Sequence, residues 1–164
     1  MILYCPNCWS ELPSGQRLCV HCGQEVSVWD EKTFTEKLVQ ALSHPEPMTQ
    51  TRAVYFLGEK RMAETVGALR QLFTRSKNPF LQSEVIEAMG KIGGEAAVSL
   101  LIEALRHPSF IVRGAAAKAL GTCSGHDIVK QALAGALKDP SSYVRERGQE
   151  ALERLQGTTA PTEK

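Results

Sequence analysis

Apolar residues recur at helical spacing from about residue 33 to residue 156, and polar residues occupy the positions between them. Turns containing Gly or Pro divide these stripes into successive pairs of helices. The second helices carry small residues such as Ala53, Ala116 and Gly148 among their apolar positions, which lets neighbouring helices approach closely. The first helices carry the stripes Phe34, Leu38 and Leu42; Val66, Leu69, Leu72 and Phe73; Val98, Leu101 and Leu105; and Val129, Leu133 and Leu137.

The helix pairs repeat along the chain. The segment Leu105–Arg113 aligns with Leu137–Arg145 at an offset of 32 positions, and Ala119-Leu120 aligns with Ala151-Leu152 at the same offset. A period in this range is typical of solenoids, in which no single unit can bury its apolar stripe alone. The pattern predicts an all-α fold, a right-handed α-solenoid of four helix pairs over residues 28–156.

Local signals support the division into helices. Thr33 to Glu36 fits a capping box, and Asn78-Pro79 and Asp139-Pro140 place a capping side chain before a proline at the start of a helix. The last second helix is the most polar, as expected for a repeat that closes the array. Glycines are predicted to end the second helices of the first three repeats, at Gly58, Gly90 and Gly121.

Two pairs of cysteines lie near the start of the chain, in Cys5-Pro6-Asn7-Cys8 and Cys19-Val20-His21-Cys22. Four thiolates at this spacing can surround one Zn²⁺ as a tetrahedron and leave no position for water or substrate. A module of this size buries too little apolar surface to fold alone, so the metal would stabilise it. We predict a small zinc ribbon at residues 1–27 with Cys5, Cys8, Cys19 and Cys22 as ligands of one structural zinc. Iron in a rubredoxin-like carrier is the alternative.

Charge and composition predict the cellular compartment and argue against nucleic acid and membranes as partners. The formal net charge is +1, so no overall field attracts nucleic acid or an anionic membrane. No apolar run reaches the length of a membrane span, and the first residues do not resemble a signal peptide. Paired cysteines in that context predict a cytoplasmic metal protein. Residues 157–164 contain no apolar anchor and are predicted to form a disordered tail.

The repeats resemble the HEAT family, in particular the short HEAT-like units named after phycobilisome lyases. The matching segments are Asp139–Arg145 and Val112–Gly121. In that family an Arg and an Asp bond within and between units, so the resemblance implies the same for Arg113, Arg145 and Asp139. The first repeats depart from it, with Gln50 and Gln82 in place of Arg and with His44 and His107 in place of Asp. We therefore expect a partial ladder of such bonds.

The cysteine module resembles a short bacterial and archaeal zinc ribbon, through its two C-x-x-C pairs, Glu11-Leu12-Pro13, Gly15 and Gly23. Trp9 departs from that family, in which a glycine follows the second ligand. This places Trp9 where it could touch the helical array. The resemblance implies a module that maintains shape or binds a protein.

No signature of catalysis accompanies these features: the sequence contains no phosphate loop, no Rossmann glycine pattern and no H-E-x-x-H. Cys123 has His126 three residues away, but a partly buried structural thiol is the favoured interpretation. We predict a non-enzymatic adaptor that binds a protein partner. The sequence specifies neither the identity of that partner nor the oligomeric state of this protein. The alternatives are a bilin lyase or lyase-chaperone, which the family name allows, and a zinc-ribbon protein associated with nucleic acid, which the charge disfavours. The predicted partner-binding residues are Trp9, Tyr55, Glu87, Phe110, Arg113, Lys118 and Glu150.

Overall fold

The structure is a computed structural model that describes residues 3–5, 7–13, 15–25, 32–123 and 127–157. Residues 26–31, which include the predicted boundary between the two modules, lie outside the described residues. So do His126 and the predicted tail from residue 158 onward. The division at residues 27 and 28 therefore stays a prediction.

The cysteine module contains a two-stranded antiparallel sheet, β1 (Leu3–Tyr4) and β2 (Glu11–Leu12), and an isolated bridge between Leu18 and Glu25. The rest of the described chain is helical. The helices are α1 (Phe34–Ala41), α2 (Pro47–Glu59), α3 (Val66–Arg75), α4 (Pro79–Ile92), α5 (Glu95–Ala104), α6 (Phe110–Leu120), α7 (Asp127–Ala136) and α8 (Ser142–Gly157), with a short 3₁₀ turn at Ala63–Thr65 before α3.

The helices pair as the repeats predict, and the expected α-solenoid is confirmed. α1 and α2 form repeat 1, α3 and α4 repeat 2, α5 and α6 repeat 3, and α7 and α8 repeat 4. Each second helix packs extensively on the second helix of the next repeat, whereas the first helices contact one another much less. One continuous core runs through all four repeats, and its fully buried side chains include Leu57, Leu69, Met89, Leu101, Leu120 and Leu133.

The prediction that Gly58 and Gly90 end their helices is wrong: α2 is capped by Lys60, and α4 is capped by a different glycine, Gly93, with φ of 71°. Gly58 and Gly90 lie inside those helices, and Gly121 caps α6 with a right-handed backbone. Their function is close approach: a Cβ built on each would lie 2.9, 2.7 and 2.7 Å, respectively, from an alanine of the next second helix. We call these the glycine–alanine contacts. They join Gly58 to Ala88, Gly90 to Ala119 and Gly121 to Ala151.

Repeat 1 shows the largest departure from the predicted core. Phe34 was assigned to the apolar stripe of the first helix, but its side chain is 56% exposed, and no residue within α1 is fully buried. The helix lies at the end of the array, so no preceding repeat covers its outer side. Its capping box is confirmed, because Thr33 and Glu36 exchange the two expected hydrogen bonds.

The caps of the second helices follow the prediction in part. The Asn78 side chain accepts a hydrogen bond from the Phe80 N–H at 2.9 Å, as predicted. Asp139 accepts from the Ser141 N–H at 2.8 Å, but α8 begins at Ser142 and Pro140 precedes the helix. Glu46 caps α2 through the amides of its first turn, which the sequence pattern did not indicate.

Candidate metal centre and partner surface

The two cysteine pairs adopt the same turn. The Trp9 N–H donates to the Cys5 carbonyl, and the Gly23 N–H donates to the Cys19 carbonyl, each at 2.8 Å. Trp9 and Gly23 occupy equivalent positions, and both have a left-handed backbone, with φ of 61° and 69°. Glycine adopts this conformation freely, whereas a tryptophan there is strained. The geometry explains why a glycine is expected after the second cysteine of each pair.

The four sulfur atoms of Cys5, Cys8, Cys19 and Cys22 lie within 4.8 Å of one another. The Sγ atoms of Cys5 and Cys22 are 3.6 Å apart, as are those of Cys8 and Cys19. A tetrahedron with metal–sulfur bonds of ~2.3 Å has sulfur–sulfur edges of ~3.8 Å, so the observed cluster fits one tetrahedral ion. The group could therefore hold a metal with thiolates alone.

The Ser10 hydroxyl lies close to two of these thiols and changes their pKa values. Its Oγ lies 3.0 Å from the Cys8 Sγ and 3.4 Å from the Cys19 Sγ. Hydrogen bonding from this hydroxyl lowers the pKa of Cys8 and lowers that of Cys19 to about 5, whereas burial raises the pKa of Cys5 to about 11. A hydroxyl placed to stabilise a thiolate suits a metal ligand, because metals bind the deprotonated sulfur.

Trp9 connects the cysteine module to the solenoid. Its ring packs edge-on against the ring of His44 in the turn between α1 and α2, with centroids 4.3 Å apart. His44 holds that turn, since its Nδ1 accepts a hydrogen bond from the Glu46 N–H at 3.0 Å. The strained Trp9 backbone is thus associated with an inter-module contact, and the role of Trp9 in partner binding stays a prediction.

The second helices present a ridge of exposed side chains, made of Tyr55, Glu59, Glu87, Lys91 and Lys118, which we call the second-helix ridge. Charges from successive repeats pair along it: Lys91 with Glu59 at 2.7 Å and Lys118 with Glu87 at 3.0 Å. The Lys91 ammonium also lies 5.2 Å from the centre of the Tyr55 ring. Neither ion pair was predicted, and Glu59 and Lys91 are absent from the predicted partner-binding residues, although their offset of 32 residues repeats the period of the chain.

Arg113 has a different environment from the ridge. Its Nε and Nη2 donate to both carboxylate oxygens of Asp139 at 2.7 and 2.9 Å, and its Nη1 donates to the carbonyls of His107 and Pro108. The side chains of Arg113 and Asp139 are only 14% and 10% exposed. The guanidinium lowers the pKa of Asp139. Arg113 thus joins repeat 3 to repeat 4, and its donors are engaged within the chain.

The turn between the helices of each repeat is closed by one recurring hydrogen bond. A side chain on the second helix donates to the carbonyl of the residue six positions earlier. The pairs are Gln50 to His44, Gln82 to Ser76, Arg113 to His107, and Arg145 to Asp139. Among the described residues, only Arg113 extends this bond to the next repeat's acid. The expected partial ladder is confirmed.

The remaining predicted residues lie near the end of the solenoid. The ring of Phe110 packs edge-on against Tyr143, with centroids 6.1 Å apart. Glu150 is exposed and pairs with Arg147 at 2.8 Å, and the Arg147 guanidinium lies 5.3 Å from the centre of the Tyr143 ring. The structure does not bring these side chains together with Tyr55, which lies two repeats from Phe110 and three repeats from Glu150.

A cleft of about 1040 Å³ opens between repeats 2 and 3, and Lys91, Gly93, Val98 and Cys123 contribute to its lining. The Cys123 thiol is largely buried and contacts the Ala119 carbonyl at 3.5 Å, and burial raises its pKa. A thiol with a raised pKa is a poor nucleophile at neutral pH. These properties are those of a structural thiol.

None of the described helices combines the length and the apolar character that a membrane span requires. A search of curated proteins finds no match for this chain. Several solved structures resemble it in fold, among them the following two. One is an engineered protein, 22% identical with a TM-score of 0.52, over 76% of this chain and 63% of the other. The second is the complex of CpcE and CpcF of phycocyanin lyase from Nostoc sp. PCC7120, 20% identical with a TM-score of 0.54, over 88% and 71%. The chain spans less than two thirds of the engineered protein.

A family model for HEAT repeats matches residues 35–121 and 94–153, which together cover all four helix pairs. The match includes the helices that form the second-helix ridge and excludes the four clustered cysteines. The chain therefore belongs to the HEAT-repeat family.

Proposed function

We propose that the protein is a non-enzymatic adaptor that holds a protein partner against its second-helix ridge. One observation carries this proposal: the ridge continues across successive repeats and combines an exposed tyrosine with exposed ion pairs. Tyr55 is half exposed, and both partners of the Glu87–Lys118 pair are substantially exposed. Tyrosine is enriched in protein interfaces because it offers a large contact area with a polar end.

The charges of the ridge can be exchanged at little cost. Exposed ion pairs contribute about 0–1 kcal/mol each, so a partner can replace such a pair with its own charges without destabilising the solenoid. The core beneath the ridge is held by apolar burial and by the glycine–alanine contacts. A rigid scaffold with an adaptable surface is what an adaptor requires.

We propose further that the four clustered cysteines bind one structural Zn²⁺ in a zinc-ribbon module at residues 1–27. Four protein thiolates would complete the coordination shell, so such an ion would stabilise the fold without offering a position for substrate. The five described cysteines are free thiols, which suits a reducing compartment such as the cytoplasm. Sulfur ligands alone also accept iron, so the identity of the metal needs direct measurement.

The test of the ridge is affinity capture from native extract with three baits, read by quantitative mass spectrometry. The baits are the wild type, Tyr55→Ala/Lys118→Ala, and the control Gln71→Ala/Lys130→Ala on first helices. We expect prey that the wild type and the control retain and the ridge variant loses. Retention of every prey by the ridge variant, with its helicity intact, would remove the case for this surface.

Similarity to the CpcE–CpcF complex favours a second candidate, a bilin lyase or lyase-chaperone. Fold similarity at this identity does not transfer chemistry. Mixing the purified protein with a free bilin distinguishes the candidates: a new visible absorbance band that survives gel filtration supports the second one. Co-elution without bound pigment, together with ridge-dependent prey, supports the adaptor.

A further inference from the structure

The turns that join the two helices of each repeat form one edge of the solenoid, made of residues 43–48, 75–80, 106–110 and 138–143, which we call the turn edge. One large apolar side chain on the first turn of each second helix is exposed there. These side chains are Met48, Phe80, Phe110 and Tyr143, with exposures of 58%, 66%, 50% and 37%. Exposed apolar side chains indicate a binding surface where they form a contiguous patch.

Part of this row has a fixed arrangement. The Tyr143 ring lies over Gly114 of the preceding repeat, where a Cβ would be only 2.2 Å from a ring carbon. It also packs edge-on against Phe110, with ring centroids 6.1 Å apart. The glycine thus makes space for the tyrosine, and two rings from adjacent repeats form one continuous apolar surface.

Within the turn edge, the unpaired charged side chains of repeats 2 to 4 are positive. Lys77, Arg106 and Lys138 are exposed, and none of their side chains forms a hydrogen bond or ion pair with a described residue. Both acidic residues of the turn edge are engaged: Glu46 caps α2, and Asp139 is held by the Arg113 guanidinium. The cations therefore remain available to an acidic ligand, in contrast to the paired charges of the second-helix ridge.

The spacing of the row suits an extended peptide. Adjacent packed helices are ~8–10 Å apart, so corresponding side chains of successive repeats recur at about that interval. A chain in the extended polyproline II conformation advances ~3.1 Å per residue with three residues per turn, so every third side chain faces the same way at intervals of ~9 Å. A peptide with the same side chains at every third position can contact one repeat after another. Grooves for nucleic acid carry a denser row of cations than one per repeat.

We propose that the turn edge binds an extended peptide segment in which an acidic and an apolar residue recur at every third position. The acidic residues contact Lys77, Arg106 and Lys138, and the apolar residues pack between the exposed rings. This inference rests on the proposed function only in assuming a protein partner, and it adds a second contact, of stated chemistry, to the one proposed for the ridge. It also places that contact on a different surface from the second-helix ridge.

The test uses the full chain with zinc present and a fluorescein-labelled peptide of four Asp-Leu-Ser triplets, followed by anisotropy. The probes for comparison are the Lys-Leu-Ser peptide and a twelve-nucleotide oligo-dT. The edge variant is Arg106→Glu/Lys138→Glu. The matched control is Lys60→Glu/Arg61→Glu, which makes the same charge change in the exposed turn between repeats 1 and 2. Circular dichroism verifies that all proteins are folded.

We expect saturable binding of the acidic peptide that falls about tenfold in the edge variant, stays within about twofold in the control, and weakens with added salt. Phe80→Ser should weaken binding at high salt as well, because its contribution is apolar. Absence of saturable binding, equal loss in the two double variants, or tighter binding of oligo-dT would each overturn the proposal. The capture experiment on the ridge is independent, so failure here leaves the adaptor function standing.

Discussion

The Arg113 side chain closes the turn of repeat 3 and links that repeat to Asp139 of repeat 4, and replacing it by glutamine separates these two roles. Gln82 occupies the equivalent position in repeat 2 and still closes its turn, through the Ser76 carbonyl at 2.9 Å. Arg113→Gln should therefore keep a bond to the His107 carbonyl and lose the two bonds to Asp139 and the bond to the Pro108 carbonyl. Arg113→Ala should lose all of them. Repeat 2 thus shows that glutamine is a conservative replacement at this position.

The structure allows a magnitude to be assigned. Hydrogen bonds to charged groups contribute ~1.5–3 kcal/mol each, and part of that is offset by the entropy of fixing a long side chain. The pair is partly buried, at 14% and 10% exposure, so solvent screens it less than a surface pair. We expect a loss of unfolding free energy of about 2 kcal/mol for Arg113→Gln and about 4 kcal/mol for Arg113→Ala.

Acid provides an independent check. The guanidinium lowers the pKa of Asp139 in the folded state, so the pair stabilises the protein above the pKa of the unfolded carboxyl, and that contribution is lost as pH falls through the folded pKa. Between about pH 5 and about pH 2 the wild type should lose more stability than Arg113→Gln, and the gap between the two should close.

Urea unfolding followed by circular dichroism measures the free energies, and amide exchange read by mass spectrometry locates the change. Exchange should accelerate first in α8, because the lost link joins repeat 4 to repeat 3. Wild-type stability of Arg113→Gln at pH 7, or a gap that persists in acid, would refute the reasoning.

Three further predictions concern the metal centre and the packing of the second helices. Cys5→Ser/Cys8→Ser should release about one metal ion per chain, measured by mass spectrometry, while most far-UV helical signal remains; collapse of that signal would show that the modules do not fold separately. Gly90→Ala should lower the urea-unfolding free energy by about 1–3 kcal/mol, because its Cβ would lie 2.7 Å from Ala119, whereas Gly135→Ala, with open space around it, should raise it by about 0.5–1 kcal/mol. A loss in both variants would point to the backbone instead of the contact. Trp9→Gly should retain the metal at least as well in chelator competition, because it relieves the left-handed strain, while amide exchange around His44 accelerates; unchanged exchange would mean that the ring contact does not link the modules.

The repeat pattern predicted the helix pairs because burial on one face imposes a period that is visible in the sequence, and the cysteine spacing anticipated the cluster of sulfur atoms. The glycines were misassigned because a glycine that permits close packing looks the same as one that ends a helix until its neighbour, one repeat away, is known. The ion pair of Glu59 and Lys91 was missed for a similar reason. The contact between Trp9 and His44 depends on the relative orientation of the two modules. The repeat pattern and the cysteine spacing each describe one module alone, so neither predicts this contact.

The glycine–alanine contacts prevent the second helices from moving closer together. The backbone of each glycine already lies against the alanine of the next second helix at the shortest distance that packing allows. The first helices, which touch one another far less, can separate or close with little resistance. Under a bending force, the second helices should therefore stay in register while the first helices move apart. A partner bound to the first helices would therefore contact a compliant surface, and one bound along the second helices would contact a stiff one.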